Sequence, residues 1–160
     1  MIITEIERKF LIDGFPDALP LRSECHMRQI YLSVMPTVRA RSKKTKDKET
    51  YRITIKGPGE LCREEIEVSI TKEQIEGLMR TAGKEPIKKH KKCYTLPDGN
   101  ILECSLVDEG KETSFMYAEV EFRSVKEAED FSPPEFLKKE VTYDNSYKMN
   151  NYWQKTRLKT

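Results

Sequence analysis

The chain has 160 residues, a length typical of one domain, which buries about 70% of the surface of its unfolded chain. Its 29 lysines and arginines nearly balance 27 aspartates and glutamates, and the formal net charge is +2. This balance argues against a generic nucleic-acid or membrane-surface binder, because such proteins carry a large charge of one sign. No apolar run approaches the roughly 18 residues that cross a bilayer, and the N-terminus has no apolar signal core. We expect a single cytoplasmic domain over residues 1–160.

The cysteines and histidines of the sequence do not indicate a metal site. The cysteines form no C-x-x-C pair and lack the spacing of zinc ligands, so we expect reduced thiols. The four are Cys25, Cys62, Cys93 and Cys104. His26 and His90 lie too far apart in sequence to suggest a histidine-based metal site or a catalytic triad.

The first predicted strand concentrates charge on one face. Alternate side chains of an extended segment share a face, so Glu5, Glu7 and Lys9 point the same way. The opposite face carries Ile6, Arg8, Phe10 and Ile12. Two carboxylates about 5 Å apart repel by roughly 3 kcal/mol at an effective dielectric of about 20, so they favour a cation between them unless water screens them. For this stretch alone, an ordinary solvated sheet face is the alternative.

The next strands form a predicted basic hairpin. These strands cover residues 29–34, 37–41 and 51–56, with a loop over residues 14–20 and a charged turn over residues 42–49. Arg39 and Arg41 share a face of one strand, and Arg52, Thr54 and Lys56 share a face of another. We expect these two faces to lie on the same side of the sheet.

Acidic pairs return in two of the five later strands. The strands are predicted over residues 63–70, 87–96, 101–107, 116–122 and 140–142. Glu65 and Glu67 share a face in the first of them, and Glu119 and Glu121 share a face in the fourth. The strand over residues 87–96 is strongly basic.

Two helices are predicted between these strands and a third after the last of them. Thr71 and Gln74 have the spacing of a capping box, and the apolar stripe that follows predicts a helix that ends near Gly83. Ser124 and Glu127 have the same spacing and predict a short helix. The last helix is expected to begin at Asn145 and to carry Tyr147, Tyr152 and Trp153.

Sorting of acid and base by strand favours closure of the sheet. In a closed barrel the charged faces line the interior and the apolar faces pack outward beneath the helices. We therefore predict an α+β fold that is mainly antiparallel β, with a closed eight-stranded barrel, a charged lumen and two or three peripheral helices. Such a lumen suits polyphosphate, whose oxygens bind lysine and arginine while carboxylates hold Mg²⁺ or Mn²⁺. Permanent salt bridges across the lumen are the alternative.

Short segments along the chain together resemble the CYTH, or triphosphate tunnel metalloenzyme, superfamily. The segments are Glu5–Lys9 for its E-x-E-x-K signature, Gln29–Leu32 for Q-x-Y-L, Val38–Arg41 for V-R-x-R, Thr54–Gly57 for T-I-K-G, Arg63–Glu67 for R-x-E-x-E, Ala118–Glu121 for A-E-V-E and Glu140–Thr142 for E-V-T. They follow the family's order and span nearly the whole chain.

This resemblance implies a tunnel that binds a triphosphate with Mg²⁺ or Mn²⁺. Superfamily members include inorganic, thiamine and RNA triphosphatases and class IV adenylyl cyclases. The implied phosphate-binding residues are Lys9, Arg39, Arg41, Arg52, Lys56, Lys89 and Lys91. The implied metal-binding residues are Glu5, Glu7, Glu65, Glu67, Glu119, Glu121 and Glu140. Glu5, Glu7, Lys9 and Lys56 are the implied catalytic residues.

Three segments depart from the family pattern. The K-x-R strand is replaced by a run of basic residues, in which either Lys89 and Lys91 or His90 and Lys92 point inward. Ser105 stands where the family has a carboxylate. The Y-x-N-x-x-L pattern of the last helix, which plugs one tunnel mouth in the family, is altered here.

Three functions remain as hypotheses. The first is a metal-dependent triphosphatase that acts on inorganic triphosphate or another short triphosphate compound, with thiamine triphosphate as one alternative. The second is an adenylyl cyclase, which uses a ribose hydroxyl as nucleophile. The third is a binder of polyphosphate or nucleotides without catalysis. We expect a small triphosphate-containing partner, no membrane and no specific nucleic acid, and the exposed outer strands permit a homodimer.

Overall fold

Eight antiparallel strands close into a barrel in the computed structural model, which describes residues 1–159. The strands are β1 (Ile2–Leu11), β2 (Leu21–Ser33), β3 (Thr37–Lys44), β4 (Glu49–Lys56), β5 (Cys62–Ser69), β6 (Ile87–Thr95), β7 (Ile101–Val107) and β8 (Phe115–Glu121). Around the barrel they follow the order β1, β5, β4, β3, β2, β6, β7 and β8. The first half of β1 pairs with β5 and its second half with β8, which closes the ring. The predicted fold class is confirmed.

Capping residues set the ends of the two helices outside the barrel. Helix α1 (Lys72–Ala82) begins with the predicted capping box of Thr71 and Gln74, and Gly83 ends it in a left-handed conformation with φ of 63°. Helix α2 (Val125–Asp130) begins at Ser124, whose hydroxyl accepts a hydrogen bond from the backbone N–H of Glu127. The Glu127 carboxylate accepts from the Arg123 N–H, so only half of the second predicted capping box forms.

The C-terminal segment is less regular than predicted. A 3₁₀ turn (Asn145–Tyr147), the short helix α3 (Met149–Trp153) and a π-helical turn (Gln154–Leu158) replace the single helix expected from Asn145. The predicted strand over residues 140–142 is also wrong, since Glu140 forms only an isolated bridge with Phe10. Within residues 1–159, every helix falls short of the length and apolar character needed to span a membrane.

Strand β2 is longer than its sequence pattern predicts. It begins at Leu21, eight residues before the predicted start at Gln29. Residues 21–28 carry polar and charged side chains outward and only Cys25 and Met27 as buried apolar positions, so alternation is weak there. Pairing with β6 on one side and β3 on the other holds this part of the strand.

The apolar cores lie mainly outside the barrel wall. Phe10, Leu102 and Val120 pack with Phe131 beneath α2, and Ile30 packs with Ile75 of α1. At one end of the barrel, Trp153 of α3 lies against Tyr31, with ring centroids 6.1 Å apart. Because the apolar faces are buried between wall and helices, the interior is left to the charged faces.

Candidate active site

Alternation along β1 sends its charged face into the barrel interior, which we call the tunnel. Glu5, Glu7 and Lys9 line the tunnel, whereas Ile6 and Phe10 are buried on the outer side. The tunnel encloses a cavity of ≈ 270 Å³. The predicted site residues that line it are Glu5, Glu7, Lys9, Arg39, Arg41, Lys56, Glu65, Glu67, Lys89, Lys91, Glu119 and Glu121.

Four carboxylates crowd together on β1 and β8, and we call Glu5, Glu7, Glu119 and Glu121 the acidic wall. Glu7 and Glu121 lie directly opposite each other in the β1–β8 pairing. One carboxylate oxygen from each of Glu5, Glu7 and Glu121 lies within 4.8 Å of the other two. Like charges at this distance repel, so the acidic wall retains protons or binds a cation.

The pKa values within the acidic wall are pushed apart. Burial raises the pKa of Glu5 and raises that of Glu7 well above its ordinary value, and the charge of Glu119 adds to both shifts. Glu121 lies at the tunnel mouth, where partial desolvation and the charge of Glu103 raise its pKa to about 7. Burial also acts to raise the pKa of Glu119, but Lys9, the hydrogen bond with Glu7 and the two lysines of β6 together outweigh it and leave the pKa below its ordinary value.

Lys9 is fixed beside the acidic wall by three contacts. It lies opposite Glu119 in the strand pairing, and its Nζ donates to the Tyr147 carbonyl at 2.6 Å. The same Nζ lies 4.0 Å from the centroid of the Tyr117 ring. Burial lowers the pKa of Lys9, whereas Glu119 acts to raise it. A buried ammonium held in this way is preorganised to stabilise negative charge that develops beside it.

Lys56 and Arg63 link the acidic wall to β5. The Lys56 Nζ lies 2.9 Å from the Glu65 carboxylate and 3.7 Å from that of Glu5. The Arg63 Nε lies 3.6 Å from the Glu5 Oε1, which is too far for a hydrogen bond. Within residues 1–159 the Glu5 Oε1 has no hydrogen-bond partner, so this oxygen remains able to accept a closer ligand.

Five cations line the tunnel from β3 and β6, and we call four of them, Arg39, Arg41, Lys89 and Lys91, the basic wall. Burial and the charge of Arg39 lower the pKa of Arg41 to about 10. Burial and the charge of Lys91 lower the pKa of Lys89 well below its ordinary value. Within residues 1–159 the Arg39 Nε has no hydrogen-bond partner. These cations repel one another, so an anion bound among them would relieve both repulsion and desolvation.

The register of β6 decides between the two predicted alternatives. Lys89 and Lys91 point into the tunnel, while His90 and Lys92 point outward. Burial acts to lower the pKa of Lys91, but the Glu103 carboxylate, which accepts from its Nζ at 2.9 Å, leaves that pKa above its ordinary value. Lys91 is therefore the one member of the basic wall with a direct carboxylate partner among the described residues.

Two residues of the predicted site do not line the tunnel. The Glu140 carboxylate accepts hydrogen bonds from Arg8 at 2.7 and 2.9 Å on the outer side of β1, so its predicted place beside a tunnel metal is wrong. The bridge between Glu140 and Phe10 explains this position, because it aligns residue 140 with the outward side chains of β1. Arg52 donates to Glu67 at 3.0 Å and is 48% exposed, outside the cavity lining.

Two groups stand out among the lining residues that were not predicted. Lys43 continues the alternation of Arg39 and Arg41 by one step, so it would have been predicted had the strand over residues 37–41 been extended to its observed end. Tyr147 and Asn150 come from the C-terminal segment, where no charge alternation marks them. The Asn150 Nδ2 donates to the Val34 carbonyl at 3.1 Å and to the Thr37 hydroxyl at 3.0 Å, which fixes this segment across one end of the tunnel.

Comparison with known proteins places this tunnel in a family. No family model matches the chain. An inorganic triphosphatase of Nitrosomonas europaea is 37% identical to it over 150 residues, which cover 91% of this chain and 94% of that protein. The chain belongs to the CYTH, or triphosphate tunnel metalloenzyme, superfamily.

Solved structures of CYTH-like proteins share the barrel. The crystal structure of an inorganic triphosphatase superposes with a TM-score of 0.67 at 33% identity, and the match covers 94% of each chain. A putative adenylate cyclase of Bacillus halodurans superposes with a TM-score of 0.51 at 12% identity, over 99% of this chain and 94% of that one. The second likeness concerns the fold alone, because its sequence identity is low.

The acidic wall of this CYTH chain fits a divalent cation. Glu5, Glu7 and Glu121 offer three carboxylate oxygens in one place, and hard oxygen ligands suit Mg²⁺ and Mn²⁺. The raised pKa values of these carboxyls indicate negative charge that the protein itself leaves poorly compensated.

Proposed function

We propose that the chain hydrolyses inorganic triphosphate to pyrophosphate and orthophosphate inside the tunnel, with Mg²⁺ or Mn²⁺ as cofactor. One observation carries the proposal: an enclosed cavity has an acidic wall on β1 and β8 and a poorly compensated basic wall on β3 and β6. This arrangement supports a ligand that is both strongly anionic and metal-bound. The relatedness to an inorganic triphosphatase supports the same substrate.

The size of the tunnel supports a compact substrate. Its ≈ 270 Å³ lie just below the roughly 300–1,000 Å³ of pockets that hold drug-sized ligands. An inorganic triphosphate has no base or ring to accommodate, whereas ATP and thiamine triphosphate do. We therefore propose inorganic triphosphate ahead of both.

The basic residues are proposed to bind and orient the phosphates. Arg39 and Arg41 present guanidinium groups, which match phosphate oxygens in a planar, bidentate manner. Lys89 and Lys91 act as point charges on the next part of the wall. Arg52 contributes little to phosphate binding, because its guanidinium forms a salt bridge with Glu67 and is half exposed.

The acidic residues are proposed to bind the cation. Glu5, Glu7 and Glu121 would hold it, with Glu119 beside them, while Glu65 and Glu67 remain paired with Lys56 and Arg52. A divalent ion bound there supplies Lewis-acid polarisation and charge neutralisation at the phosphoryl oxygens. The three carboxyls must be ionised to bind it.

For the chemical step we propose in-line attack of water on a terminal phosphorus. A new P–O bond forms, the bridging P–O bond breaks, and the bridging oxygen leaves with pyrophosphate. The carboxylate oxygen of Glu5 or Glu7 that does not bind the cation accepts the proton that the water loses. Lys9 and Lys56, both directed at the tunnel interior, stabilise the charge that develops on the oxygens of the substrate.

The decisive experiment compares three substrates on the intact protein. Inorganic triphosphate, ATP and thiamine triphosphate are each incubated with Mg²⁺ or Mn²⁺, and with EDTA as control. We expect EDTA-sensitive release of orthophosphate and pyrophosphate from inorganic triphosphate, with much slower release from the other two. Cyclic nucleotide and pyrophosphate from ATP would instead identify a cyclase. Metal-dependent binding of triphosphate without product would identify a binder and point to Ser105, which replaces a carboxylate.

A cytoplasmic location is proposed on the chemistry of the cysteines. All four are free thiols in the structure, which suits a reducing compartment. A homodimer stays a prediction, and light scattering coupled to size-exclusion chromatography measures it.

A further inference from the structure

A second group of possible metal ligands lies on the outside of the barrel, and we call Glu24, His26 and His90 the outer cluster. His26 and His90 are directly paired across β2 and β6, so the strand register overturns the expectation from sequence distance. Their rings stack with centroids 4.3 Å apart and an interplanar angle of 13°. The His90 Nε2 is hydrogen-bonded to the Glu24 carboxylate at 2.5 Å. One ligand atom from each of the three residues lies within 4.8 Å of the other two.

We propose that the outer cluster binds a transition-metal ion of the Zn²⁺ class, independently of the tunnel. Two imidazole nitrogens and one carboxylate form a known ligand set for zinc, which leaves a fourth position for water. Imidazole favours Zn²⁺, Ni²⁺ and Cu²⁺ over Mg²⁺, whereas the all-carboxylate acidic wall favours hard ions. The two sites therefore differ in the metal that they select.

The surroundings of the outer cluster support a built site with an open side. The Phe15 ring packs edge-on against His90 with a centroid distance of 5.4 Å, which limits rotation of that imidazole. Glu24 and His26 are exposed, so an ion can reach them from solvent. The hydrogen bond between Glu24 and His90 already brings two ligand groups together, and an ion would take the place of the shared proton.

Nearby cations oppose ion binding only in part. Lys92 lies opposite Glu24 in the β2–β6 pairing, but its Nζ is 3.6 Å from the Asp17 carboxylate and 4.7 Å from the centroid of the Phe15 ring. Lys88 and Arg28 form the next outward pair along the same strands. Lys44 pairs with His26 across β2 and β3 and adds a further cation, so an ion would be held by direct ligation to the imidazole nitrogens and the Glu24 carboxylate.

A bound ion would cross-link two strands that are distant in sequence. Strands β2 and β6 are neighbours in the barrel although α1 and three other strands separate them along the chain. On the inner side of the same strands lie Lys89 and Lys91 of the basic wall. Because the unfolded chain cannot keep the three ligands together, an ion at this site stabilises the folded state.

The test titrates the purified protein with Zn²⁺ in the presence of saturating Mg²⁺, which occupies the acidic wall. Co²⁺ serves as a spectroscopic probe, because tetrahedral Co²⁺ absorbs strongly in the visible. We expect one Zn²⁺ per chain, and we expect the affinity to fall by more than about tenfold in His26→Gln and in His90→Gln. Even the mutation of residues that only support metal ligands lowers metal affinity by about tenfold or more. Glu109→Gln is the matched control, an exposed acid beside the same groove on the outer face.

Thermal unfolding gives a second readout. Zn²⁺ should raise the Tm of the wild-type protein and of Glu7→Gln, but not that of His26→Gln, while Mg²⁺-dependent triphosphate hydrolysis by His26→Gln stays at the wild-type rate. The proposal is overturned if Zn²⁺ binding survives both histidine substitutions, or if Glu7→Gln alone removes it, which would locate the ion in the tunnel. Absence of any Zn²⁺ binding in the wild-type protein would overturn it as well.

Discussion

Two groups of buried charge in this molecule are built on opposite principles. In the C-terminal cluster of Asp108, Tyr152 and Arg157, the Asp108 carboxylate accepts from the tyrosine at 2.6 Å and from the guanidinium at 2.7 and 3.1 Å. A fourth bond comes from the Lys88 backbone N–H at 3.1 Å. In the tunnel, by contrast, like charges face each other and, across residues 1–159, the Arg39 Nε and the Glu5 Oε1 lack hydrogen-bond partners.

The comparison separates charge that stabilises the fold from charge that awaits a ligand. Asp108 has a pKa below its ordinary value because Arg157 and Tyr152 outweigh the effect of burial. Glu7 has a raised pKa because burial and Glu119 act in the same direction. Removal of one side chain from a fully hydrogen-bonded charge cluster destabilises the protein. Removal of one from an uncompensated cluster stabilises the protein but impairs its function.

The largest expected effect is on the C-terminal cluster. Arg157→Met leaves the Asp108 carboxylate buried without its cation, and removal of one partner of a buried pair costs about 3–5 kcal/mol. Urea unfolding measures the loss, and Lys155→Met, an exposed lysine in the same turn, is the control. An unchanged unfolding free energy in Arg157→Met would remove the distinction between the two groups of charge.

In the tunnel, removal of a cation should affect turnover far more than stability. Lys89→Met is expected to lower kcat/KM for triphosphate by about 100–1,000-fold, the loss typical of one preorganised electrostatic contact. Lys88→Met on the adjacent, exposed position of β6 should leave kcat/KM unchanged. Equal activity in the two variants would show that the basic wall does not bind the phosphates of the substrate.

Removal of a charge from the acidic wall should stabilise the metal-free protein. A raised pKa in the folded state means that stability is present at low pH and is lost as pH rises through the folded pKa. Glu7→Gln mimics the protonated form, so in EDTA at pH 8 we expect a gain of about 1–3 kcal/mol from relief of carboxylate repulsion. Turnover should fall sharply in the same variant.

Urea unfolding of Glu64→Gln provides the comparison for that gain. Glu64 is exposed on the outward face of β5, next to the buried Glu65, so its substitution should change neither stability nor turnover. A loss of stability in Glu7→Gln would mean that the acidic wall is internally compensated.

The pH dependence of hydrolysis should report the protons of the acidic wall. Because the pKa of Glu121 is about 7, this carboxyl holds a proton below that pH and must release it when a cation binds. At subsaturating Mg²⁺ we expect kcat/KM to fall by up to about tenfold per pH unit below pH 7, and less at saturating Mg²⁺. A profile independent of Mg²⁺ concentration would contradict this coupling.

The smallest effect is expected at Arg52, which lies outside the tunnel lining. Arg52→Gln should change kcat/KM by less than about threefold, because a half-exposed ion pair contributes about 0–1 kcal/mol. Steady-state kinetics at low salt test this, with Arg41→Gln as the buried comparison from the opposite strand position. A large loss in Arg52→Gln would restore it to the predicted phosphate site.

Much of the site follows from local alternation in the sequence. The two-residue period of β1 and β8 predicts that Glu5, Glu7, Glu119 and Glu121 share one face, and closure of the barrel makes that face the interior. Long-range pairing is not encoded in any short window, so the neighbours His26 and His90 appear unrelated until the β2–β6 register is known. Glu140 shows the same limit, since a single bridge to Phe10 decides which way it points.

The closure of the ring through β1 also has a kinetic consequence. Lys9 and Glu119 become neighbours only when the first strand pairs with the last, across more than a hundred residues of chain. Contacts between such distant segments form slowly, because the chain loses loop-closure entropy before the strand pairing contributes any stabilisation. The acidic wall therefore comes together only at ring closure, so a partly folded chain has no site. Recovery of enzymatic activity during refolding thus marks the completion of the barrel.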